Sequence, residues 1–118
     1  MTTRTLDLAF DADPVYLRVV RLAASSMAAD AELGVRATEA LVLAVDELTT
    51  WLMMGGAGDI RVRIATDDDG VTIRASGPTA AGPLDDIATA IVTRASDRFR
   101  IGADLDGYVV VKLRDDVE

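Results

Sequence analysis

Between residues 60 and 64 apolar and basic side chains alternate strictly, Ile60, Val62 and Ile64 against Arg61 and Arg63. A repeat of two belongs to an extended strand, whose successive side chains point to opposite faces, so this segment is buried on one side only. After the turn Asp67-Asp68-Asp69-Gly70 the pattern resumes, with Val71 and Ile73 against Thr72 and Arg74, and the two runs form a hairpin. A chain that contains this hairpin must build a sheet with one apolar face, and must find apolar elements to cover it.

The remaining segments supply them. Leu6, Leu8 and Phe10 alternate with Thr5, Asp7 and Ala9, which predicts a first strand over residues 4 to 10. Asp13-Pro14 offers an N-cap and a first-turn proline, opening a helix with Tyr16, Val20, Ala23 and Met27 inward and Arg18, Arg21 and Ser25 outward. A second helix is predicted from about Val35 to Met54, stopped by Gly55-Gly56. At ~100° per residue Ala37, Leu41, Ala44, Val45, Leu48 and Leu52 make one apolar stripe. Ala40, Leu43, Trp51 and Met54 make a second, leaving Glu39, Asp46 and Thr50 as the polar face. Such a helix is expected to be packed on more than one side, with Glu47 falling in the second stripe beside Trp51.

Gly77-Pro78 through Gly82-Pro83 reads as a loop, and residues 84 to 96 as a third helix with Leu84, Ile87, Ala88 and Ile91 inward. Strands from Arg98 to Gly102 and from Tyr108 to Arg114 close the chain around the turn Asp104-Leu105-Asp106-Gly107. The order β-α-α-β-β-α-β-β predicts one α+β domain over residues 1 to 118: a two-layer sandwich whose mixed or antiparallel sheet is covered on one face by about three helices. Alternation assigns Arg61, Arg63, Arg74, Arg100, Lys112 and Arg114 to the opposite face of the sheet. A basic face of this kind is either a solvated surface or a steering surface for an acidic partner, and the sequence leaves both open.

Composition narrows the chemistry. The 118 residues carry a formal charge of −8, which argues against direct nucleic-acid binding, since that rests on cations neutralising phosphates. The chain contains no cysteine and no histidine, which removes disulfides, thiolate nucleophiles, Ser/His relays and Cys/His zinc sites. Asp67-Asp68-Asp69-Gly70 lacks the spaced ligands of a calcium loop and reads as a solvated turn, while Asp85-Asp86 reads as a helix cap. No apolar run resembles a signal peptide or reaches the ~18 residues of a membrane span, so a cytoplasmic location and no membrane contact are the expectation.

The phrase Leu41-Val42-Leu43-Ala44-Val45-Asp46-Glu47-Leu48-Thr49-Thr50, set in this order of elements, resembles the anti-sigma-factor serine kinases of the histidine-kinase-like ATPase superfamily. Asp11-Ala12-Asp13-Pro14-Val15-Tyr16-Leu17-Arg18 is similar to that family's opening, and Asp97-Arg98-Phe99-Arg100-Ile101 to its stretch after the lid helix. The resemblance covers nearly the whole chain and implies that fold with a shortened lid.

The resemblance also exposes three departures. The family's second helix carries a catalytic glutamate followed four residues later by a magnesium-binding asparagine; Glu47 matches the first, but Trp51 stands at the second, and an indole offers no oxygen ligand. The family's adenine-binding aspartate corresponds to Ala75 in Ala75-Ser76-Gly77-Pro78-Thr79, where Thr79 also replaces a second glycine. Its glycine-rich phosphate cradle corresponds to Asp85-Asp86-Ile87-Ala88, where carboxylates oppose phosphate. The resemblance therefore implies a non-catalytic anti-sigma-like regulator with no cofactor and no metal, its partner a sigma factor or an anti-sigma-factor antagonist, with Arg18 and Arg21 on the binding surface and a homodimer as one assembly. Glu47 is then a vestigial catalytic position, expected to be half-buried and bonded to a neighbouring arginine or amide. The alternative is a divergent ATP-dependent serine/threonine kinase that still uses Glu47, with Asp46 or Thr50 as substitute magnesium ligands.

Overall fold

The hairpin forms as its alternation requires. In a computed structural model, which describes residues 3–114, strand β2 (Asp59–Thr66) turns into β3 (Gly70–Ser76) through an aspartate-stabilised loop. One carboxylate oxygen of Asp67 accepts from the amides of Asp69 at 2.8 Å and Gly70 at 3.1 Å, so the acidic triplet is a turn held by its own first side chain. Gly70 is needed at its end: φ is 154°, and a Cβ there would collide with the Lys112 carbonyl of the adjacent strand.

β1 (Arg4–Asp11) adds to the outer side of β2, while β5 (Gly107–Leu113) adds to β3 and β4 (Arg98–Ile101) to β5. The sheet order is β1-β2-β3-β5-β4, and every pairing is antiparallel, which decides between the mixed and antiparallel alternatives. Helices α1 (Leu17–Asp30), α2 (Val35–Met53) and α3 (Asp86–Ala95) lie on one side. The fold is an α+β two-layer sandwich with a core of Val20, Ala24 and Ala28 from α1, Leu41, Leu48 and Leu52 from α2, and Ile60, Ile64, Ile73 and Val110 from the sheet.

Four inward or outward assignments are corrected. Tyr16 does not open α1, because Asp13 and Pro14 start a single 3-10 turn (Pro14–Tyr16), and its ring instead lies 5.6 Å from that of Phe10. Ile87 is 76% exposed rather than inward. The Asp85 carboxylate caps α3 at the Ala88 amide, and in the phase this fixes Val92 and Ala95 are buried. Leu43 and Met54, assigned to a second buried stripe of α2, are exposed; of that stripe only Trp51 is fully covered.

The fourth correction concerns the basic face. Lys112 pairs in register with Val71, one step along from the buried pair Ile73 and Val110, so it projects to the helix side, where its ammonium lies 3.8 Å from the Asp97 carboxylate. Arg114, just past β5, keeps that parity and reaches Glu32 at 3.5 Å. Arg61, Arg63, Arg74 and Arg100 do share the helix-free face, and Arg98, of the same parity as Arg100 but left out of the sequence reading, joins them.

Candidate functional site

The site to which the resemblance pointed lies where the C-terminal half of α2 meets the segment from Gly77 to Asp85. Helical spacing puts Glu47, Thr50, Trp51 and Met54 along one side of α2, and these face Ala81, Gly82, Pro83, Leu84, Asp85 and Ala88 across a cleft of about 260 Å³. Glu47, Trp51 and Asp85 are thus brought together at one cleft. Ala75 and Asp86 do not line this cleft.

Trp51 closes the wall. It is buried, and its indole Nε1 donates to the Gly82 carbonyl at 2.8 Å, satisfying the one polar atom that burial of an indole would otherwise leave unpaired. The segment that it grips is fastened at two further points, Gly77 N to Asp106 O at 2.9 Å and Ala80 N to Leu105 O at 2.7 Å. At the end of α2 a Cβ on Gly55 would collide with the Thr79 carbonyl, so helix and segment meet backbone to backbone. The segment is a short strap bonded to α2 on one side and to the 105–106 turn on the other.

Ala75 faces the helix layer, but the space above it is filled from the neighbouring strand. Its partner in register is Tyr108, a buried residue whose hydroxyl meets the Thr49 hydroxyl of α2 at 2.7 Å. Burial pushes the Tyr108 phenol well above its ordinary range, and the bond to Thr49 opposes this only in part. Tyr108 thus bridges sheet and helix beside Ala75. Sequence reasoning missed this pair: Tyr108 entered only as the first residue of the last strand, and Thr49 as an ordinary helix position.

The N-terminus of α3 is capped from within. The Asp85 carboxylate accepts from Ala88 N at 2.7 Å, so an amide at the start of α3 that could otherwise meet an anion already has an internal one. Glu47 is half-buried at the cleft and, among the described residues, has no hydrogen-bond or ion-pair partner, which corrects the expectation of a bonded carboxylate. Asp46, a proposed substitute for the metal ligand, is turned to α1, where it accepts from Arg21 at 2.6 Å. Among the described residues no cluster of three acidic side chains is placed to hold a metal ion.

On α1, Arg18 and Arg21 are both exposed, and Arg21 is committed to the pair with Asp46. Between and beside them runs an unburied apolar stripe at helical spacing, Val15, Val19 and Leu22, the last 64% exposed. Fold and site together define a small α+β domain with a cleft walled by Trp51 and an apolar, arginine-flanked helix on its surface. No protein-family model matches the chain, and no curated protein matches it.

Proposed function

We propose that the protein is a non-catalytic regulator of the anti-sigma-factor type, which binds a sigma factor or an anti-sigma-factor antagonist and has lost nucleotide binding. The observation that carries this reading is the Trp51 bond to Gly82, because it fixes the strap against α2 over the place where a nucleotide would enter. The Tyr108–Thr49 bridge beside Ala75 and the Asp85 cap on α3 support it from two other sides. Partner binding is assigned to α1 and the 3-10 turn before it, where Val15, Val19 and Leu22 leave apolar area in water next to Arg18 and Arg21.

The test has two parts. Mg·ATP at about 100 times a functional dissociation constant stabilises a binding fold by roughly 2.7 kcal/mol, so thermal unfolding with millimolar Mg·ATP is expected to show no shift. Tagged protein expressed in its own cell is expected to co-purify with a sigma factor or its antagonist, and the charge-reversed, apolar-depleted double variant R18E/L22E to lose it. Failure to recover any regulatory partner overturns the proposal.

One observation favours the alternative, a divergent serine/threonine kinase: Glu47 faces the cleft unpartnered, with Thr50 beside it. A Mg·ATP-dependent phosphotransfer abolished in Glu47→Gln would establish that reading, although Asp46, held by Arg21, is not placed to assist it.

A further inference from the structure

The helix-free face of the sheet, remote from both the cleft and α1, carries an arrangement that the chain's own charges do not explain. One cross-strand row runs Asp7, Arg63, Arg74, Val109, Arg100 over all five strands, and the next row places Arg98 opposite Val111. Arg63 is taken by Asp7, whose carboxylate accepts from it at 2.7 and 3.0 Å. Arg74, Arg98 and Arg100 have no ion-pair partner among the described residues, in a chain with 20 acidic and 12 basic residues. Arg63 and Arg74 stand directly opposite each other, a like-charge pairing that disfavours the sheet. These three arginines rim a shallow hollow of about 530 Å³ floored by Val109 and Val111.

We propose that this face docks an acidic amphipathic helix of a partner protein, laid along β5 with its apolar stripe on Val109 and Val111 and its carboxylates on Arg74 to one side and Arg98 and Arg100 to the other. Adjacent strands are about 4.8 Å apart, so β3 and β4 lie about 10 Å from each other across β5, the width of an α-helix. Charge selects the occupant: guanidinium groups without internal partners are complementary to carboxylates, and their planar fork favours the paired oxygens of Asp and Glu. The apolar floor between them excludes a ligand that is only an anion. Covering a bare sheet face with a helix is also the general way in which such faces are buried.

The experiment uses the whole chain and a fluorescein-labelled helical peptide with a leucine stripe flanked by glutamates. A scrambled peptide of the same composition and heparin serve as competitors, and sedimentation of the protein alone is run over a range of concentrations. Binding by the amphipathic peptide is expected, weakened at least about tenfold in R74E/R100E and about as strongly at high salt, with the circular dichroism of the variant unchanged. Val109→Ser is expected to weaken it without altering its salt dependence. Equal competition by the scrambled peptide or by heparin reduces the face to a generic anion surface and overturns the proposal. So does an absence of binding, and so does a concentration-dependent dimer abolished by R74E/R100E, which would assign the face to a second copy of this chain.

Discussion

Trp51 serves two purposes at one position, filling space between α2 and the strap and donating its single polar hydrogen to Gly82 at 2.8 Å. Removing the whole ring is expected to cost about 3–5 kcal/mol in Trp51→Ala, while Trp51→Phe, which keeps much of the packing and loses the hydrogen bond, should cost far less; urea unfolding of both variants checks the order. Tyr108 and Thr49 are a tighter case, because both hydroxyls are buried and each is the other's partner. Tyr108→Phe strands the Thr49 hydroxyl at a cost of about 1–3 kcal/mol, and adding Thr49→Val is expected to restore most of it, since no polar group is then left unmet. The phenol also sets a pH dependence whose sign follows from burial. Its folded pKa is raised, so its contribution to stability is complete below the unfolded value of about 10 and falls away as pH rises above it. Wild type should lose stability in strong alkali more steeply than Tyr108→Phe, measured by chemical unfolding across that range.

At the level of elements, the period-two strands and the long α2 were legible in the sequence because burial on one face writes itself into alternation. β1 lies within a residue of its predicted bounds, and β2 and β3 contain the alternating runs and extend them by one or two residues at each end. α3 was harder. It is a 10-residue helix with apolar side chains on more than one face, and its phase depends on the cap rather than on the pattern, so Ile87 was assigned inward and lies in solvent. Lys112 was misplaced because a charged residue near a strand end was read as outward, whereas the register with Val71 and the ion pair to Asp97 hold it on the helix side. At the site, Glu47 was legible as a match to a pattern and Trp51 and Asp85 as departures from it, but the bridge between Tyr108 and Thr49, separated by 59 residues, was not, because only the fold brings β5 under α2. The Asp85 cap gives this scale its own prediction: Asp85→Ala should destabilise the protein by about 1 kcal/mol and raise amide hydrogen exchange first in the opening turn of α3 and the neighbouring strap.

As a whole the molecule separates its charges and its surfaces. A chain of net charge −8 places five arginines on the bare side of its sheet, leaves an apolar stripe along α1 and the turn before it on the other side, and sets Trp51 into the cleft between α2 and the strap. Among the described residues no helix is long and apolar enough to cross a membrane. Two outward surfaces with unmet binding capacity support the proposed action through partners. The central claim is that the cleft is closed to nucleotide, and the single tryptophan of the chain reports on it directly through one indole N–H resonance. Titrated with Mg·ATP, that resonance is predicted to stay in place and to exchange slowly with solvent, as a buried donor bonded to Gly82 should. A saturable shift of the indole signal, or its fast exchange with water, would show the strap opening to a ligand and contradict the account.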